Sequence, residues 1–239
     1  MAQYLNQVQF IMNEIENNIL NIKKNIIKAE LNSSRKENSV ILMAVSKTQS
    51  VEKIKHAYNA GQKDFGENYL QEAVKKILEL KNFDIIWHYI GKIQGNKAKL
   101  IADNFDWVHS ADKISTLIKI DNYRNKLEKN LNVCIQVNID NEESKSGIEI
   151  KNIEEFLEST HNLQNINIRG LMAIPQYQES FEDQFNTFKR LQDLFNNLVK
   201  KGYKLDTLSI GMSSDYHAAI EAGSTIIRIG TAIFGERIK

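Results

Sequence analysis

A lysine closes the apolar, strand-forming run in "VILMAVSKTQSVEKI", Val40 to Ile54. After Lys47 comes a polar turn, then a helical pattern. An amine at the end of a buried strand has two chemical fates. Its stem can cover apolar atoms while its head stays in water. Alternatively, partial desolvation lowers its charged population and makes it a nucleophile toward carbonyls. The residues alone leave both readings open. Two later stretches carry anion chemistry. In "SIGMSSDYHAAI", Gly211 allows an unusual turn, and Ser213, Ser214 and Asp215 are N-cap types for the helical stretch that follows. In "IRIGTAIFGER", Gly230 permits close backbone approach, and Thr231 offers a hydroxyl and its N–H. Either loop alone reads equally well as an ordinary turn and cap.

Something must bring these segments together. Strand-type runs cover 40–46, 63–66, 85–90, 106–109, 133–139, 166–171, 207–210 and 225–229. Amphipathic stretches lie between them at 51–60, 69–80, 97–104, 113–127, 153–161, 181–200 and 216–222. Such alternation predicts a parallel sheet covered by helices. Eight units in this length predict an α/β fold of the (β/α)8 TIM-type barrel, with an open doubly wound sheet as the alternative. No strand runs directly into GxGxxG, which argues against a dinucleotide-binding sheet. Ahead of the barrel, Leu5, Val8, Met12, Ile15, Ile19, Ile22 and Ile26 recur at steps of three and four. This predicts an extra N-terminal helix over 1–30, packed on its own domain or offered as a coiled-coil seam.

The barrel gives the chemistry a place. Ligands sit at the C-terminal strand ends, and phosphates bind the loops after strands seven and eight. Lys47 follows the first strand, and the two Gly/Ser/Thr loops follow the last two. Alternation sets Ile226 and Arg228 opposite Thr225, Ile227 and Ile229, which turns Arg228 toward the barrel mouth. There it needs an anion, or a salt bridge to a barrel carboxylate such as Glu67. A carbonyl-seeking lysine, a phosphate cup and an inward arginine together suggest pyridoxal 5′-phosphate (PLP).

The totals bound the rest. With 239 residues, 31 Lys plus Arg and 30 Asp plus Glu, the net charge of +1 supplies no basic field for nucleic acid. Cys134 is the only cysteine, so neither an internal disulfide nor a cysteine metal cage can form. The N-terminus lacks signal-peptide features, and no apolar run approaches the ~20 residues of a membrane span. The expectation is a cytoplasmic protein in one domain, 1–239, since Pro175 is the sole proline and no proline-rich linker divides the chain.

The blocks "AVSKT", "FGENYLQEA", "WHYIGKIQGNKAK", "HSADK", "QVNIDNEESKSGI", "GLMAIP" and "LSIGMSSDYHAAIEAGSTIIRIGTAIFGER" resemble the motifs of the pyridoxal phosphate homeostasis proteins. That group has the alanine-racemase-type barrel (the fold-type III PLP-binding arrangement) as a single domain. The resemblance runs from Val40 onward and leaves the first forty residues without a motif. It implies that Lys47 carries PLP as an internal aldimine and that Ser213, Ser214, Gly230 and Thr231 hold the phosphate. It also implies that Arg228 faces the pyridine nitrogen, with Asn68 and Met212 near the ring. Lys145 is either a solvated loop lysine or a contact for a phosphate or a second PLP in transit. Asn138 reads as a structural strand-end residue, and His88 as a hydrogen-bonded core residue or an acid/base. Two positions depart from the family: Gly95, where serine is common, and Ile210, where methionine is common.

Function follows from how the protein would use the cofactor. An arginine at the ring nitrogen cannot accept its proton, so carbanion stabilisation is weak. Racemases of this fold also take a tyrosine base from a second domain, and the expectation is that none follows Lys239. The resemblance implies a carrier or buffer in PLP homeostasis, a monomer that meets free amino acids and apo-PLP enzymes. The alternative is a PLP-dependent racemase or lyase with His88 or Tyr89 as acid/base. A Schiff-base aldolase would need carboxylates beside the lysine, and "VSKTQS" has none. An interaction module would rest on the N-terminal stripe alone.

Overall fold

The structure, a computed structural model, describes residues 2–140, 142 and 146–236, with side chains from Glu14 onward. Helix α1 (Ala2–Asn32) leads into β1 (Ile41–Val45), α2 (Val51–Asn59), β2 (Asp64–Glu67), α3 (Leu70–Glu79) and β3 (Ile86–Tyr89). There follow α4 (Ala98–Asn104), β4 (Trp107–Ala111), α5 (Ile114–Arg124), β5 (Leu131–Asn138), β6 (Ile148–Glu149), α6 (Ile153–Ser159) and β7 (Ile166–Met172). The chain continues through α7 (Phe181–Lys200), β8 (Thr207–Ser209), α8 (Tyr216–Glu221), β9 (Ile226–Ile229) and α9 (Thr231–Phe234).

All strand pairings are parallel. The order β4-β3-β2-β1-β9-β8-β7-β5 closes on itself through β4–β5, giving the eight-stranded barrel that the alternation predicts. The open-sheet alternative therefore fails. The short β6 pairs only with β5 and stands outside the ring. It went unread because two strand residues carry no period. The run ILMAV of β1 is a central strand with an apolar layer on each side, which is why it lacks polar alternation. Leu42 and Ala44 pack outward in a cluster with Ile54 and Ala57 of α2 and Ile227 and Ile229 of β9. Met43 is in register with Arg228, so both face inward.

Helix boundaries follow local chemistry. Ser50 caps α2 by accepting the Lys53 N–H. The helix expected over 113–127 stops at Arg124, whose guanidinium turns back onto the Ala102 and Phe105 carbonyls. Helix α1 packs on its own barrel: Ile15, Ile19, Ile22 and Ile26 are buried, and Asn18 donates to the Ile233 carbonyl at 3.1 Å. The Leu5, Val8 and Met12 part of the stripe lies outside the described side chains. At the far end of α1, the buried Glu30 accepts from the Asn38 N–H at 2.9 Å and the Val40 N–H at 2.7 Å. This anchors the chain as it enters β1. Among the described residues, no helix is long and apolar enough to cross a membrane.

Candidate functional site

The C-terminal strand ends frame a cleft of about 400 Å³. Its wall contains Lys47, Asn68, Met212, Ser213, Ser214, Arg228, Gly230 and Thr231. All eight residues singled out from the sequence thus come together, Arg228 from within β9 and the others from the segments after β1, β2, β8 and β9. Val45, Gln49, Ile90, Met172, Ile174 and Gly235 complete the lining. Of these, Val45, Ile90 and Met172 sit at or next to inward strand ends. Alternation along the predicted strands was the signal that could have found them.

The turn that carries Lys47 is held from below. The Gln49 N–H donates to the Ser46 carbonyl at 3.0 Å, and Thr48 takes φ +66°, a left-handed conformation uncommon for a β-branched residue. Glu72 accepts the Thr48 N–H at 2.7 Å and holds that conformation in place. Lys76 joins the pieces: its Nζ donates to the Ser46 carbonyl and to Glu67 Oε1, both at 2.8 Å, and to Glu72 Oε1 at 2.5 Å. The Ser46 hydroxyl adds a 2.6 Å bond to Glu67 Oε1. Burial raises the Glu67 carboxyl above its ordinary value, and the Lys76 ammonium works against that shift.

Asn68 takes its place because residue 91 is glycine. A Cβ there would lie 2.4 Å from the Asn68 carbonyl oxygen. The Asn68 Oδ1 is buried and, among the described residues, has no hydrogen-bond partner.

The two loops opposite Lys47 are built differently. Gly211 has φ +96°, and a Cβ on it would come within 2.6 Å of the Ala219 Cβ, so only glycine fits. Its carbonyl accepts the Arg228 N–H at 2.9 Å, which fastens the β8 loop to β9. Asp215 is the N-cap residue of α8, yet its side chain turns back to accept the Met212 N–H at 2.5 Å. The hydroxyls of Ser213 and Ser214, read from the sequence as possible caps, are exposed at the cleft instead. Gly230 precedes the single turn of α9, a helix absent from the sequence reading. The first N–H groups of that turn have no partner within the helix.

Arg228 forms part of the cleft wall and is otherwise buried. Its Nη1 donates to the Ser209 carbonyl at 2.6 Å and to the Ser209 hydroxyl at 2.9 Å, and its Nη2 donates to the Ala173 carbonyl at 3.0 Å. These are neutral oxygens. The salt bridge to Glu67 weighed from the sequence does not form, because Glu67 belongs to Lys76 and Ser46. Burial lowers the guanidinium to about 10, with Asp215 pulling it upward.

His88 and Tyr89 do not line the cleft. His88 is fully buried and bonded to His109 and Asp64, as expected of a core residue. The Tyr89 hydroxyl donates to the Lys92 carbonyl at 3.2 Å. Asn138 clamps the start of the loop after β5, donating to the Glu142 carbonyl at 2.8 Å, which agrees with its structural reading. Lys145 lies outside the described residues.

Comparison with known proteins agrees with this architecture. Residues 15–238 match the family described as alanine racemase, N-terminal domain. The chain is 44% identical over 227 residues to the pyridoxal phosphate homeostasis protein of Pasteurella multocida, covering 93% of this chain and 97% of that one. It is 41% identical over 229 residues to the protein of that name from Escherichia coli K12, covering 95% and 98%. Among solved structures, PipY of Synechococcus elongatus with PLP bound superposes with a TM-score of 0.81 at 32% identity, covering 92% of this chain and all of that one. Alanine racemase of Clostridium difficile, at 16% identity and a TM-score of 0.71, shares the fold over 60% of its length. The chain therefore belongs to the alanine racemase N-terminal-domain family, and within it to the pyridoxal phosphate homeostasis proteins.

Proposed function

We propose that this chain binds PLP in the cleft, covalently at Lys47, and acts in PLP homeostasis as a carrier or buffer without robust turnover. The observation that carries this reading is the convergence of Lys47 and both Gly/hydroxyl loops on one cleft. The residues fit the group. An amine stands on one wall, hydroxyls and backbone N–H groups suited to a phosphate stand on another, and among the described residues a buried amide oxygen of Asn68 lacks a partner.

PLP supplies an aldehyde that condenses with a primary amine and releases water, and an electron sink when its ring nitrogen is protonated. This chain's residues then divide the work. Lys47 presents the amine from a turn fixed by Glu72 and Lys76. Ser213, Ser214, Gly230 and Thr231 hold the phosphate. Met212 and Asn68 would flank the ring, and Arg228 would meet the ring nitrogen as a donor. A guanidinium has no acceptor atom, so that nitrogen would stay unprotonated and the sink weak. The racemase or lyase alternative needs an acid/base opposite Lys47, and both candidates for it are engaged elsewhere.

In this reading the protein is a single-domain monomer of the cytoplasm. Free amino acids reach it as amines that displace Lys47, and apo-PLP enzymes receive the cofactor. An absorption spectrum with borohydride reduction and mass mapping tests it. The expected result is a yellow protein modified at Lys47, with the colour lost in Lys47→Ala. A protein that stays colourless in excess PLP refutes the reading, and α-hydrogen exchange of amino acids in heavy water at catalytic rates would favour the enzyme.

A further inference from the structure

Five side chains form one unbroken hydrogen-bonded row through the barrel, from its N-terminal mouth to the cleft. Asp64 Oδ1 lies 3.0 Å from His88 Nε2, and His88 Nδ1 lies 2.9 Å from His109 Nε2. His109 Nδ1 lies 3.0 Å from Ser209 Oγ, which accepts from Arg228 Nη1 at 2.9 Å. The strands β2, β3, β4, β8 and β9 contribute one member each. His88, His109 and Ser209 are wholly buried, whereas the Asp64 side chain is 19% exposed at the opposite end of the barrel. Among the described residues, no group of three His, Cys, Asp or Glu could hold a metal ion, so this row is built for hydrogen bonding.

The two ends fix the direction of every bond. A carboxylate only accepts, so His88 Nε2 carries a proton. With His88 neutral, its Nδ1 accepts, and His109 Nε2 must donate to it. His109 Nδ1 then accepts from the Ser209 hydroxyl, and the Ser209 oxygen accepts from the guanidinium, which only donates. Every donor meets an acceptor. The reverse direction needs a protonated Asp64 or an imidazolium at His88, and it leaves the Ser209 hydrogen facing two donors.

The surroundings favour a neutral ring at His109. His88 faces Asp64 from β2, and from β4 it faces His109 and the Trp107 ring, which stacks on it. Arg169 of β7 lies over Trp107 and is paired with Asp206. His109 faces His88 and Arg228, and burial, with the Arg228 charge added to it, holds it well below the ordinary imidazole value. The buried Cys134 thiol of β5 is raised by the same burial and stays uncharged.

We propose that Asp64, His88, His109 and Ser209 are positioning residues for Arg228. They fix the orientation of its guanidinium and couple the charge at the far barrel mouth to the cleft. The consequence for PLP rests on the function proposed above, because it takes Arg228 to face the ring nitrogen.

The first test uses the ligand-free protein. Nitrogen-15 NMR at neutral pH is expected to show His88 and His109 both as Nε2–H tautomers. Asp64→Asn is expected to shift the His109 and Arg228 resonances, although Asp64 touches neither. An Nδ1–H tautomer or an imidazolium at either ring overturns the proposal, as do unmoved resonances. The second test follows the absorption of the PLP-loaded protein against pH. Asp64→Asn is expected to move the midpoint by at least ~0.3 pH unit, a twofold change in proton affinity, and His88→Gln is expected to abolish that shift. A shift that survives His88→Gln is a through-space field, and it overturns the relay. A lowered melting temperature with unchanged spectra means a merely structural row, and it does the same. Should PLP not bind at all, the proposed function fails while the NMR result still decides the row.

Discussion

The ammonium of Lys76 lies 2.8 Å from the carboxylate of Glu67, directly beneath the turn that bears Lys47. Both side chains are buried, at 6% and 0% exposure. Removing one partner of such a pair leaves a desolvated charge behind. Lys76→Met is therefore expected to cost about 3–5 kcal/mol in urea unfolding. It should also loosen Thr48 and slow the reaction of Lys47 with PLP. Adding Glu67→Gln removes the stranded carboxylate and should recover much of the stability. Recovery of the Lys47 rate is not expected, because the Ser46 carbonyl and Glu72 still lack the Lys76 ammonium.

Asn68 offers a separation of stability from binding. Its Oδ1, without a partner among the described residues, is a cost to the ligand-free fold. Asn68→Ala is expected to leave thermal stability unchanged or slightly raised while weakening PLP binding. Parallel melting curves and PLP titrations check this, and a large loss of stability would contradict it.

Gly211 should behave in the opposite way. Alanine there meets both a left-handed φ and the Ala219 side chain. Gly211→Ala is expected to cost about 1–3 kcal/mol. It should weaken inorganic phosphate and PLP together, since the Ser213–Ser214 loop hangs from this residue.

His109 sets a pH dependence of folding. Its folded value lies well below 6.5, so it stays neutral in the fold while the unfolded chain takes up a proton. The unfolded state binds more protons below that pH, and stability falls as the pH drops through this range. Above 6.5 the contribution is complete and flat. The slope from one such group is about 1.4 kcal/mol per pH unit. Urea midpoints measured across this range should show that slope in the parent protein and lose it in His109→Gln.

Much of this site was legible in the sequence, because its parts are short-range. A lysine after an apolar run, glycines with hydroxyl residues, and a charged residue between isoleucines each depend only on near neighbours and strand alternation. What escaped depends on partners far along the chain. Lys76 reads as one more charge on an amphipathic helix, and nothing local says that it caps the Ser46 carbonyl. Ser209 pairs with His109 across one hundred residues. The alternative partner for Arg228 was wrong for the same reason: periodicity says which way a side chain faces but not which acceptors wait there. The one-turn helix α9 is too short to carry a hydrophobic period.

Strands β1 and β9 are hydrogen-bonded neighbours, with Met43 beside Arg228. The amine thus comes from the first strand of the barrel, and the anion loops come from the last two. A folding chain has no cleft until these strands have met and the ring has shut. Vitamin capture then acts as a seal on a finished molecule: half-made or unzipped copies hold nothing, and a loaded copy resists reopening at that seam.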